Sequence, residues 1–200
     1  GRIAAVGANV AVPANAKSID ASGLVVYPGM MDAGTSMGLS EIGQGAASTV
    51  DVSEVGSFNP NAQAIYALNP HSAHVGVARV VGITHVASSP SGGIISGQTA
   101  IVNLAGWTAP EMQVVPRAAL VINLPRSGFA GRGFQALLAQ QTQGSTQDAN
   151  RVRERQLDSL RSILRDAEAY GNAIDAAEKD KMLPRVKRDV VLASLVPAVR

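Results

Sequence analysis

Residues 69–87 read NPHSAHVGVARVVGITHVA, and the fold class follows from them. Asn69 is a good helix cap and Pro70 suits a first helical position. Val75, Ala78 and Val81 recur at helical spacing, and Gly82 closes the helix. Ile83–Ala87 then reads as a strand. Helix, glycine and buried strand in that order are the grammar of an α/β fold with a parallel sheet.

Outward from this unit the chain continues in the same style. Pro28-Gly29 punctuates, and Met30–Ala33 is a short apolar run with the composition of a strand buried on both faces. The segment from Gly34 to Gly56 is rich in Gly, Ser and Thr and reads as a long loop, a kind of connection that is usually functional or mobile. On the other side, Ser89-Pro90-Ser91-Gly92-Gly93 is a turn cluster. Gln98–Leu104 and Ala118–Leu124 read as two more strands, separated by Trp107–Pro116 and forming a hairpin excursion. Arg2–Val6, Ser18–Asp20 and Gly23–Tyr27 read as short amino-terminal strands, with Val25 and Val26 favouring extended backbone.

The last third is helical. From Asp148 to about Lys179, the residues Leu157, Leu160, Leu164, Ala167, Gly171 and Ile174 form one apolar stripe. Asp158/Arg161 and Asp175/Lys179 are opposite-charge pairs at helical spacing. Gly171 is expected to mark a bend, and Val186–Val199 starts another amphipathic helix after Pro184. A polar stretch, Gln140–Gln147, precedes the long helix.

Composition sets the outer limits. The 200 residues carry 17 basic and 15 acidic side chains, and no face is polybasic, which argues against nucleic acid or an anionic membrane as partner. Residues 1–147 hold 6 basic and 6 acidic side chains, whereas residues 148–200 hold 11 and 9, so the composition shifts where the helical segment begins. Apolar residues make up 46% of the chain, enough for a core. With no cysteine, disulfides, thiolate zinc sites and a thiol nucleophile are excluded. No apolar run reaches the roughly 20 residues of a membrane helix. The sequence begins at Gly1 without a signal-peptide pattern, so it is expected to be processed or an excerpt. Either a periplasmic or a cytoplasmic location fits, and an oligomer is compatible with the sequence.

A more specific signal lies in "GRIAAVG" at the start followed by "IDASGLVVYPGMMDAGTSMGLSEIG" over residues 19–43. This pattern resembles the opening of the amidohydrolase superfamily, in the manner of imidazolonepropionase and dihydroorotase. In that family a small β-sandwich flanks a (β/α)8 barrel, and the chain enters the barrel through Pro-Gly-x-x-Asp-x-His-x-His. Pro28, Gly29 and Asp32 match. The stretch "NPHSAHVGVARVVGITHVASSPSGGIISGQTAIVNLAGWT", residues 69–108, is similar to the next helix and second barrel strand of an uncharacterised branch. The resemblance implies residues 1–27 as part of the sandwich. Residues 28–200 would be the first βα units of the barrel, with a hairpin excursion and a long helix, all as the amino-terminal piece of a longer protein. It implies hydrolysis of non-peptide C–N bonds in small cyclic amides or related compounds, with a small-molecule substrate.

The departure from the family pattern bears directly on chemistry. The family's two metal-binding histidines fall at Gly34 and Ser36. Glycine offers no ligand and a serine hydroxyl is a poor one for zinc, which takes Cys, His and carboxylates. No metal ligand is therefore assigned, and a divalent metal such as zinc is expected only in the full-length protein. The rival reading is a non-catalytic protein of this fold that binds a small molecule or a partner subunit. A third is an independent α/β binding domain.

Within the segment, Glu41 and His85 are the candidates for catalytic roles and Ser36 for substrate binding. Glu41 follows the first barrel strand, where such folds build their sites. His85 sits on the second strand and either faces a substrate or packs against a helix. Asp32 is read as structural, at the sandwich–barrel junction. His71 and His74 are spaced for one helix face but lack further ligands, so they read as surface histidines. "SPSGGIISGQT" over residues 89–99 lacks the Gly-Lys-Ser/Thr ending of a phosphate loop and reads as a turn. Ser36, Ser88 and Ser96 sit in no nucleophile elbow. Trp107 reads as a packing anchor for the hairpin.

Overall fold

The computed structural model describes residues 2–41, 49–125 and 146–200. Part of the Gly34–Gly56 loop and residues 140–145 of the polar stretch lie outside the described residues. The unit read from residues 69–87 forms as expected in kind. Strand β1 (Met30–Thr35) connects through two helices, α1 (Ala64–Ala67) and α2 (Ala73–Val80), to strand β2 (Ile83–Ser88). The two strands pair in parallel. Helix α2 starts later than the Asn69-Pro70 signal predicts. Asn69 instead opens a turn, its side-chain oxygen accepting from the His71 N–H, and Ser72 takes over as cap, its hydroxyl accepting from the His74 N–H. Gly82 follows the helix at φ +87°, a left-handed conformation open to glycine, so the chain turns into β2 there.

Beyond β2 the sheet is antiparallel. Strand β3 (Ile95–Asn103) pairs with β2, and β4 (Gln113–Ile122) pairs with β3, with the short helix α3 (Ala109–Met112) between them. The order is β1-β2-β3-β4, an open four-stranded sheet among the described residues. The expected hairpin excursion is therefore present, and its first strand also continues the sheet from β2. A single parallel pair is present where the sequence grammar predicts a parallel sheet. A closed barrel is not formed by these strands.

Two expectations for the amino-terminal half are overturned. Arg2–Val6, Ser18–Asp20 and Gly23–Tyr27 form no strands, and Val25, Val26 and Tyr27 are exposed. Local turn chemistry explains part of this. The Asp20 carboxylate accepts from both the hydroxyl and the backbone N–H of Ser22, which holds its pKa below the usual value. The Leu24 N–H then reaches back to the Ala21 carbonyl. Apolar alternation favours a strand only where a neighbour supplies the ladder, and none among the described residues does. The second correction concerns β1. It is a strand, but not a buried one: Met30 and Met31 are 55% and 50% exposed. Among the described residues it is an edge strand, paired with β2 alone.

The core is in two parts. Val86, Ala100, Val102 and Leu104 of the sheet meet Ile65 of α1, Val75 and Ala78 of α2, and Leu39 and Met112. The second cluster joins Ile94 and Ile95 to the carboxy-terminal helices, α4 (Thr146–Lys179) and α5 (Val190–Val199). The predicted stripe faces inward. Leu160 and Ala167 are buried, Leu157, Leu164 and Ile174 are half-buried, and Arg155 and Arg165 are exposed. Arg161 pairs with Asp158 at 2.9 Å as expected, but Asp175 pairs at 2.6 Å with Arg200, not with Lys179. Gly171 serves close packing in a continuous helix. A Cβ there would stand 3.2 Å from the Val196 side chain, so its smallness lets α5 approach α4. Helix α5 begins at Val190 instead of Val186, because the Asp189 side chain caps it by accepting from the Leu192 N–H. No described helix is long and apolar enough to cross a membrane.

Leu195 of α5 has no exposed surface and closes the second cluster. Truncation to Ala should cost about 2–5 kcal/mol. Chemical denaturation of Leu195→Ala against the parent measures it, and a cost near zero would mean that α5 does not pack on this sheet.

Candidate functional site

The carboxyl end of β1 is where a parallel βαβ unit leaves room for a ligand. A cleft of about 410 Å³ opens there, lined by Thr35, Ser36, Met37, Ser40 and Glu41 from the strand end and its loop. Residues His74, Val77 and Ala78 of α2 form the other side. The ends of the two parallel strands are tied together above it. The Ser89 N–H donates to the Thr35 carbonyl and the Ser88 hydroxyl to the Met37 carbonyl, both at 2.8 Å.

Glu41 is a held group. Its two carboxylate oxygens accept from Asn69 Nδ2 at 3.2 Å and from Ser72 Oγ at 3.0 Å. Its backbone carbonyl lies 3.4 Å from His74 Nε2, and its N–H donates to Thr49. Ser72 is the cap of α2, so the Glu41 carboxylate stands over the amino-terminal end of that helix, where negative charge is favoured. The carboxylate therefore staples the loop after β1 to the start of α2. With both oxygens held by donors at the start of α2, Glu41 is a positioning group for the cleft wall.

The other sequence candidates separate. Ser36 is exposed at the cleft, beside Thr35, and is placed to meet a ligand. His85 is elsewhere. It sits in β2 in register with Met31 and Asn103, half-buried, with Nδ1 2.9 Å from its neighbour Thr84 Oγ1, and it does not line the cleft. Glu41 and Ser36 are thus brought together and His85 is not. The Asp32 carboxylate accepts from the Gly34 N–H at 3.1 Å, a local backbone contact.

Residues set aside in the sequence behave unevenly. His74 enters the cleft wall, whereas His71 turns away, its ring 6.1 Å from that of Trp107. Trp107 is 77% exposed, so it anchors no core. The turn after Pro90 binds itself: the Ser96 hydroxyl donates to the Gly92 carbonyl, and Asn123 Nδ2 reaches both the Gly93 carbonyl and Ser96 Oγ. The Ser96 hydroxyl and the Gly92 and Gly93 carbonyls are thereby engaged, within the turn or by Asn123. Ser40, Asn69 and Ser72 are the site residues that sequence reasoning missed. The Ser72 cap was legible from its position before Ala73-His74-Val75. Its partnership with Glu41, 31 residues away, has no local signal.

The donor set does not fit a bound metal ion. Gly34 and Ser36 at the end of β1 bring neither imidazole nor carboxylate, and no group of three or more His, Asp or Glu side chains able to hold a metal exists among the described residues. The carboxylate that lines the cleft, Glu41, is engaged by two donors.

No family model matches the sequence, and no curated protein matches it. A solved structure does. The chain superposes on an amidohydrolase from Thermotoga maritima. The TM-score is 0.72 at 21% identity, over 94% of this chain and 46% of that one. The chain thus spans under half the length of that structure. The likeness establishes an amidohydrolase-like fold for the described α/β unit.

Two measurements probe the site. Ser72→Ala removes both the helix cap and one Glu41 donor, and should cost about 0.5–2 kcal/mol by denaturant unfolding. Glu41→Ala combined with it should cost less than the sum of the single changes, because the two residues share one contact. Strict additivity would show the staple to be inert. Separately, a Cβ at Gly34 meets nothing within 4 Å, so a side chain fits there. The double variant Gly34→His, Ser36→His should gain zinc affinity by calorimetry relative to the parent. Equal zinc binding by parent and variant would show that other residues hold the ion.

Proposed function

We propose that these residues are the amino-terminal part of an amidohydrolase-like hydrolase acting on non-peptide C–N bonds of small molecules, with the segment itself inactive. One observation carries this reading. Almost the whole chain superposes on less than half of an amidohydrolase from Thermotoga maritima, and the matching unit opens a cleft at the carboxyl end of its first strand. In this proposal Ser36 and Ser40 offer hydroxyls to a substrate amide or ring carbonyl, and His74 closes the opposite wall. Glu41 acts at one remove by fixing the loop that carries Ser40 against α2. Residues 1–27 would belong to a flanking sandwich and residues 28–200 to the first βα units of a barrel. No reaction step is assigned to a metal, because the described residues supply no ligand set for one.

A second reading has its own support. Gly34 and Ser36 stand where the family carries metal-binding histidines, which favours a protein of this fold that binds a small molecule without hydrolysing it.

One experiment separates the two. A longer polypeptide containing residues 1–200 and a 1–200 protein are each assayed against hydantoins, dihydropyrimidines and lactams, with metal content measured in parallel. The hydrolase reading expects turnover from the longer polypeptide alone, reduced by about tenfold or more in Ser36→Ala if that hydroxyl contacts the transition state. Saturable binding of one of these compounds without turnover by either protein would overturn hydrolysis and leave the binding reading.

A further inference from the structure

We propose that residues 181–188, the loop between α4 and α5, dock an extended acidic segment of a partner polypeptide that carries one or two apolar side chains. This does not rest on the hydrolase reading. The even charge of the whole chain hides one uneven stretch. These eight residues read KMLPRVKR and hold four of the 17 basic side chains and none of the 15 acidic ones, so the remainder of the chain is net acidic. Lys181, Arg185, Lys187 and Arg188 are all exposed, and none is in an ion pair with another described residue. Beside them Met182 is 91% exposed and Leu183 44%.

The loop is held at both ends and open between them. At its start the Asp180 carboxylate accepts from the Met182 N–H, and the Asp180 carbonyl accepts from the Leu183 N–H. At its end the Asp189 N–H donates to the Tyr170 hydroxyl of α4, and the Asp189 carboxylate accepts from the Leu192 N–H. Both flanking carboxylates are thus engaged by backbone and leave the four cations to an outside partner. From Pro184 to Arg188 the chain has no regular structure, and no backbone N–H or C=O there bonds to another described residue. Exposed backbone groups without an internal partner are a template on which another chain can pair.

Three kinds of anionic partner can meet four cations, and the backbone decides among them. A bilayer offers nothing to unbonded N–H and C=O groups, which are costly in hydrocarbon. A nucleic acid offers phosphates, but the loop has no aromatic side chain on which a base would stack. An extended peptide meets every group present. Its carboxylates face the two lysines and two arginines, with the arginine forks suited to bidentate contact. Its backbone pairs with that of residues 184–188 as an added strand does. Its apolar side chains cover Met182 and Leu183.

The probe is a synthetic hexapeptide, Glu-Leu-Glu-Glu-Leu-Glu, titrated into the purified protein and followed by NMR and, with a fluorescein label, by fluorescence anisotropy. Expected are saturable binding and shifts of the backbone amides from Lys181 to Arg188. Lys181→Gln, Arg185→Gln, Lys187→Gln and Arg188→Gln combined, all at exposed positions, should weaken binding by about tenfold or more. A probe N-methylated at alternate amides keeps its charge and loses its backbone donors, and should bind severalfold more weakly than the parent peptide. The proposal is overturned if the combined variant binds the probe as tightly as the parent protein does, or if the N-methylated probe binds as well as the unmodified one. It is also overturned if a hexanucleotide or phosphatidylglycerol vesicles bind more tightly than the peptide, or if the probe leaves these amides unshifted at millimolar concentration.

Discussion

The backbone of β3 must be hydrogen-bonded along both edges, because the strand is buried for nearly its whole length. Strand β2 meets one edge and β4 the other, both antiparallel. Most of what surrounds the strand depends on that pairing. Val102 and Ala100 carry the cluster under α1 and α2, and Ile95 begins the cluster under α4 and α5. Even the chain between Phe58 and Gln63 is tethered to it, through bridges from Phe58 to Ile95 and from Gln63 to Gln98. The same burial leaves Gln98 with its Nε2 bonded to the Pro60 carbonyl and its Oε1 without a partner among the described residues.

Against that centre, β1 is peripheral. It gains ladder bonds only from β2, and its methionines stay half in water. Its importance is positional. By running parallel to β2 it brings its carboxyl end beside the start of α2, where a capping serine and a carboxylate from the following loop meet. The cleft's rim is held by polar contacts, while Ala78 of its wall and the neighbouring Leu39 and Val75 belong to the first core cluster. Such a site is defined by where its loop is pinned, and Glu41 does the pinning. Charge at the end of a helix, which the sequence invites one to read as catalytic, serves geometry here.

The side chains at the end of β1 set the chemistry of that cleft. A strand end that carries Gly34 and Ser36 offers a ligand hydroxyl contacts and space, not coordination. The fold likeness to an amidohydrolase and the donor set at the strand end therefore bear on different questions. One concerns how the backbone is built, and the other what the site can hold.

The sequence by itself determined the local elements whose causes are local. Gly82 at the end of α2, the strand after it and the leucine stripe of α4 were legible because periodicity and a left-handed turn act within a few residues. The hairpin between β3 and β4 was legible for the same reason, from two apolar runs with a break between. Tertiary structure alone decided the rest. Val25–Tyr27 have strand composition but no neighbour to pair with, so propensity went unused. Met30 and Met31 were read as buried from composition, and only the strand order placed them at an edge. Asp175 had Lys179 at helical spacing and took Arg200 instead, because α5 brings that guanidinium closer. Glu41, Asn69 and Ser72 are scattered through the chain and become one staple only when β1 and α2 are packed side by side. Residue type announces what a side chain can do, whereas its partners depend on distances that folding alone sets.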